Sequence, residues 1–253
     1  MPDLLEPDVA ASAALPSGAA QAESDPFLGL KSGATEIYFI RHGDALPEAA
    51  EVINGDYDAQ GLSALGRQQA RALAARMRAV ALVAVYSSPI GRARETAAAV
   101  ADALDLPVVV DADLREVGIG PIGPPLAADM SPDEIARLLK AQLHEIAVVA
   151  LTTGRWETIP GSEPSRDLRV RVRGVVERLA GAHPGQRIAI VSHGGMINAY
   201  IAAFLGLDRD YFFPAANTSV SVVRVRDNHA MLFALNDIAH LRHPDLTGFD
   251  GNT

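Results

Sequence analysis

The 253-residue chain contains no cysteine, so it can form neither a disulfide framework nor a thiolate-ligated metal site. Aromatic residues make up only 5% of it and tryptophan occurs once, yet apolar residues together reach 49%, enough to fill a core. No apolar run approaches the roughly 20 residues that a membrane-spanning helix needs. The opening Met1-Pro2-Asp3-Leu4-Leu5-Glu6 lacks the basic region of a secretory signal, which makes the cytoplasm the expected compartment. Positive charge is scarce as well. A formal net charge of -9 argues against a general nucleic-acid binder and against attachment to an anionic membrane. It leaves room for a small anionic substrate, because a few arginines within about 4 Å outweigh a diffuse net charge.

Length favours one domain over two. Residues 1–34 are rich in Ala, Ser, Pro, Gly, Asp and Glu without apolar periodicity and read as a disordered tail, with a second tail at 242–253. From Thr35 a strand–helix alternation begins. Ile37 to Ile40 is a short bulky run of the kind that forms a buried central strand. A helix opens near Leu62 and carries an apolar stripe through Leu65, Leu73, Met77 and Val80. Leu82–Tyr86, Val108–Val110 and Arg187–Val191 are further strands, and Arg92–Leu104, Ser165–Ala182 and Gly195–Leu205 further helices. Residues 117–163 are less regular and read as a variable lid insertion, with one helix capped by Ser131 and started by Pro132. Val220–Val225 and Ala230–Leu235 form a hairpin around Asp227-Asn228. The pattern predicts an α/β fold of three layers, a mostly parallel sheet between two sets of helices, over residues 35–241.

Ligands of such sheets bind beyond the carboxyl ends of the strands. Those ends carry Arg41-His42-Gly43, then Ser87-Ser88 leading to Arg92, then Arg115-Glu116, then Ser192-His193-Gly194-Gly195. Two arginines, two histidines and a carboxylate on one rim suit phosphoryl transfer. That reaction needs positioning and neutralisation of the equatorial oxygens, which the planar fork of arginine supplies in pairs. A neutral imidazole is a competent nucleophile near pH 7 when its other nitrogen is tied to a carbonyl. Helix starts after Arg92 and His193 aim N–H groups at an anion, and Gly43 and Gly194 let backbone approach it. A carboxylic acid must protonate the leaving oxygen; Glu116 is the candidate, with Glu51, Glu145 and Glu163 as competitors.

These residues resemble the histidine phosphatase superfamily, in the branch that holds cofactor-dependent phosphoglycerate mutases and many phosphatases. The resemblance is carried by Arg41-His42-Gly43, Leu62-Ser63-x-x-Gly66-x-x-Gln69-Ala70, Ser87-Ser88-Pro89-Ile90-x-Arg92-Ala93-x-x-Thr96-Ala97, Leu114-x-Glu116, Pro160-Gly161-Ser162-Glu163, Val191 to Gly195 and Leu235 to Leu241. It implies a phosphoglycerate mutase-like fold in which His42 is the phosphorylated nucleophile, while Arg41, Arg92 and His193 with Gly194 hold the phosphate. Glu116 would be the proton donor and later the base for water. It also implies a phosphorylated small-molecule substrate and no metal or organic cofactor. Relatives are often dimers, and the hairpin edge near Val220 offers a strand for a second copy. The chain departs from the family pattern in having Gly43-Asp44-Ala45 and Glu48 where relatives carry Glu-Thr and an asparagine, and a glutamate cannot donate to phosphate as an amide does.

Three readings of the site compete. A mutase needs extra cations for a bisphosphate, but residues 117–163 hold Arg137, Lys140 and Arg155 against six acids, which favours a phosphatase. The Glu48 departure leaves a catalytically weak phospholigand-binding module as the third. The apolar Leu126, Leu138, Leu139 and Trp156 suggest a lid suited to an apolar or aromatic group. Gly118-Ile119-Gly120-Pro121-Ile122-Gly123 fits a dinucleotide-binding pattern, but Pro124 and Pro125 stand where that motif requires a helix. Ser87 and Ser88 read as structural rather than nucleophilic, and His183, His229, His240 and His243 as surface or structural residues.

Overall fold

A computed structural model describes residues 33–45, 60–120, 122, 129–227 and 229–242. Most of the two expected tails, Glu48, Glu51, Leu126, Pro124, Pro125 and Asn228 lie outside the described residues. Six strands form one sheet: β1 (Thr35–Arg41), β2 (Leu82–Ser87), β3 (Val108–Val110), β4 (Arg187–Ser192), β5 (Val220–Arg226) and β6 (His229–Asp237). Their order is β3-β2-β4-β1-β5-β6, with the first four parallel and β5 and β6 added antiparallel.

Both faces of β1 and β4 are covered, which is why their sequences run apolar without alternation. Ile37, Phe39, Ile188 and Ile190 point to one face, packed by Leu168, Val172 and Val176 of helix α4 (Ser165–Ala182) and Met196 and Ile197 of α5 (Gly194–Phe204). Ile40, Ala189 and Val191 point to the other. There they meet Leu73 and Met77 of α1 (Ala64–Met77) and Ala93, Ala97 and Val100 of α2 (Gly91–Asp102). The result is the three-layer arrangement expected from the strand–helix alternation.

The insertion contains a 22-residue helix, α3 (Pro132–Thr153), capped by Ser131, whose side chain accepts from the Glu134 N–H, and started by Pro132. It ends at Gly154, whose φ of 71° is a left-handed conformation that glycine adopts without strain. One expectation needs correction. Val220 is not at an edge: β5 lies between β1 and β6, so Val220 is fully buried and the outer edge of the hairpin is β6. The parallel register gathers the ends of β1, β2 and β4 on one rim, where Arg41 pairs with Ser192 and Ser87 with Val191. Because β5 runs the opposite way, residues 213–219 arrive at that same rim and join the site.

Candidate active site

His42 leaves the end of β1 with its backbone fixed on both sides. Its N–H donates to the Ser192 carbonyl (3.0 Å), and its own carbonyl accepts from the Thr218 N–H (3.2 Å) and the Asn217 side-chain amide (3.2 Å). The ring is held too. Nδ1 lies 2.7 Å from the Gly43 carbonyl, which sets Nδ1 as the protonated nitrogen and leaves the lone pair on Nε2. Nε2 faces the Arg92 guanidinium, whose Nε donates to it at 3.3 Å. Burial pushes the His42 imidazole well below its ordinary range, and the positive charges of Arg92 and Arg41 push it the same way against the opposing pull of the Gly43 carbonyl. His42 is therefore a neutral base with an oriented lone pair.

Arg92 belongs to the first turn of α2 and is 2% exposed. A guanidinium at that depth beside the positive end of a helix is stabilised when an anion joins it. Arg41 sends Nη1 to the Ala215 carbonyl, while its buried Nε has no hydrogen-bond partner in the protein. Thr96, one turn along α2 from Arg92, couples these elements: its hydroxyl donates to the Arg92 carbonyl (2.8 Å) and accepts from the Gly43 N–H (3.0 Å). Gly66 allows α1 to press against this loop, since a Cβ there would stand 2.0 Å from the Asp44 carbonyl oxygen.

His193 occupies the N-cap position of α5 and is fully buried. Its ring centroid is 5.0 Å from that of His42, and Nε2 shares a 2.8 Å hydrogen bond with the Ser88 hydroxyl, the structural part that Ser88 plays. Burial, followed by the charge of Arg92, keeps this imidazole neutral as well. Nδ1 is buried without a partner. Arg41, His42, Arg92, Glu116, Gly194 and Gly195 line one cavity of about 260 Å³, and His193 packs directly beside His42.

The Glu116 carboxylate sits across the start of α5. Oε1 accepts from the N–H groups of Val117 (2.9 Å) and Met196 (3.0 Å), and Oε2 from Gly195 (3.2 Å). Oε2, with one such bond, is the oxygen with room for a proton. Gly195 is packed so closely that a Cβ there would meet Glu116 Oε1 at 2.6 Å and Trp156 at 2.8 Å, while one at Gly194 meets no protein atom nearer than 3.7 Å. Of the rival carboxylates, Glu163 is engaged elsewhere and Glu145 does not line the cavity.

The sequence reading missed Arg171. This α4 residue donates Nη1 to the carbonyls of Asp113 (2.7 Å) and Arg115 (3.0 Å) and Nη2 to that of Glu116 (3.3 Å). It also grips Glu163 with two further bonds of 2.8 and 2.7 Å. It thus clamps the segment that carries Glu116. In sequence it is one of several arginines along a helix, a pattern indistinguishable from a solvated face. Tyr211, Ala215 and Asn217 were missed for a similar reason, as they reach the rim only through the antiparallel turn into β5.

Comparison with known proteins identifies the family. A family model described as "Histidine phosphatase superfamily (branch 1)" matches residues 37–238. The "Metal-independent phosphoserine phosphatase" of Arabidopsis thaliana is 30% identical over 232 residues, covering 88% of this chain and 91% of that protein. A Serratia proteamaculans protein named "Probable phosphoglycerate mutase GpmB" is 33% identical over 172 residues, 68% of this chain and 75% of its own length. The solved native structure of mycobacterial glucosyl-3-phosphoglycerate phosphatase superposes with a TM-score of 0.61 at 26% identity, over 80% of this chain and 99% of that one.

Proposed function

The chain belongs to branch 1 of the histidine phosphatase superfamily, and on that basis we propose that it is a phosphomonoester hydrolase working through a phosphohistidine on His42. The observation that carries this reading is the oriented lone pair on His42 Nε2, set beside Arg92 in a cavity that also holds Arg41 and Glu116.

The substrate phosphate lies between the guanidinium groups of Arg41 and Arg92 and against the start of α5 at Gly194, in place of water. Each arginine neutralises equatorial oxygen charge. His42 Nε2 attacks phosphorus, the ester P–O bond breaks, and Glu116 delivers a proton to the departing oxygen so that it leaves as an alcohol. Glu116, now a carboxylate, takes a proton from a water molecule whose oxygen attacks the phosphohistidine. The P–N bond breaks, inorganic phosphate leaves, and both residues return to their starting forms. His193, its neutral ring packed against His42, steadies that imidazole and joins the two arginines around the phosphate.

Hydrolysis of p-nitrophenyl phosphate in the presence of a chelator, lost by at least a thousandfold in His42→Ala, is the expected result. A phosphoryl label on the enzyme that survives alkali and is released by acid should be trapped during turnover. Full activity in His42→Ala would contradict the assignment.

A further inference from the structure

Resting on the phosphohydrolase reading, the cavity also carries information about what the phosphate is attached to. Beyond Glu116 its wall is formed by Ile119, Leu143, Ile146, Ala147, Trp156 and Tyr211. The two aromatic rings meet edge to face, 5.4 Å apart, so this surface is mostly apolar, although the buried Trp156 Nε1–H on it has no partner among the described residues.

The positions of the cations matter more. A second anionic group on the substrate would need one outside the phosphate pair Arg41 and Arg92. Among the described lining residues only Arg115 qualifies, and it faces Glu163 at 3.6 Å and Asp113 at 3.9 Å. Of the insertion's cations, Arg155 is paired with Asp208 at 2.5 Å, and neither Arg137 nor Lys140 lines this cavity. Lys140 and His144 line a second cavity with Asp44, which meets the first at Arg41 and Leu143. Residues 46–59 and 121–128 contain no lysine or arginine, so neither segment could supply the missing charge. A carboxylate or second phosphate carried into this space would lose its hydration and find as counter-charge only Arg115, which already faces two carboxylates.

We propose that this wall is a leaving-group subsite for an uncharged apolar group, aryl or alkyl, and that it discriminates against phosphate esters bearing a second anion. Phosphoserine, named for the Arabidopsis relative, is an ester of the disfavoured kind. The glycerate bisphosphates that a mutase must hold are disfavoured more strongly still.

The test compares pentyl phosphate with 5-(phosphonooxy)pentanoate. In this pair the leaving alcohols are nearly matched in acidity and differ in charge at the far end. The full-length enzyme should show a kcat/KM at least tenfold higher for pentyl phosphate, and higher again for 3-phenylpropyl phosphate. Ile146→Arg should shrink the ratio by supplying a cation, and Trp156→Ala should lower kcat/KM for the neutral esters selectively. Lys140→Ala should leave the ratio where it was. Equal or reversed preference would overturn the subsite, as would a selective loss of the carboxylate ester in Lys140→Ala, which would put the second anion at Lys140. Absence of turnover on every ester would count against the hydrolase reading alone. In that event competition of pentylphosphonate and 5-phosphonopentanoate with vanadate still decides the subsite, the neutral analogue binding at least tenfold tighter if it exists.

Discussion

At the scale of single residues, the site depends on two imidazoles that are kept uncharged. His42 and His193 are both buried beside arginines, and both are pushed well below 6.5. His240 is pushed down to about 4 by burial and then by the charge of Arg76. Above pH 6.5 neither the folded nor the unfolded chain protonates these rings, and stability does not depend on them. Below it the unfolded chain takes up protons that the folded chain refuses, at about 1.4 kcal/mol per pH unit for each histidine. Urea unfolding should therefore show a loss on the order of 2–4 kcal/mol between pH 7.5 and 5.5. His193→Asn should flatten that slope by about one third, and a wild-type profile flat down to pH 5.5 would contradict the burial of neutral rings. Gly195 offers a second test, since a Cβ there collides with the Glu116 carboxylate. Gly195→Ala is expected to lower kcat on an alkyl phosphate at least tenfold while vanadate affinity stays within about threefold.

At the scale of elements, the acid loop is fastened by a neighbouring helix. Arg171 on α4 reaches three carbonyls of the 113–116 backbone and the Glu163 carboxylate, and only 8% of its side chain is exposed. Outright removal would leave the half-buried Glu163 with only its longer charge contact to Arg115, so the informative change is Arg171→Lys, which keeps the charge but not the fork. Loosening Glu116 matters only where the leaving group needs a proton. The expected outcome is a loss of at least tenfold on an alkyl phosphate against less than threefold on p-nitrophenyl phosphate, whose phenolate leaves unaided. Uniform loss on both substrates would reduce Arg171 to general structural support.

At the scale of the whole molecule, the phosphate site is built from β1, β2, β4 and the turn into β5, so occupancy of the site ties the sheet together across its width. Vanadate at a hundred times its dissociation constant should stabilise the folded chain by about 2.7 kcal/mol, which calorimetry would read as a rise in melting temperature of roughly 5–11 °C. Arg41→Ala should largely abolish that rise, and its persistence would move the anion elsewhere.

The amino-acid sequence by itself determined the layers and the parallel core, and it singled out Arg41, His42, Arg92, Glu116, His193 and Gly194 as the candidate site. Each follows from local chemistry: continuous apolar runs make strands covered on both faces, and reactive residues crowd at strand ends. It mistook a buried strand for an edge at Val220. Only the tertiary structure decided that His193 packs beside His42, that Arg171 holds the segment carrying Glu116, and that Arg137 and Lys140 do not line the apolar wall. Those are questions of distance between segments far apart in the chain, which residue type and spacing do not encode.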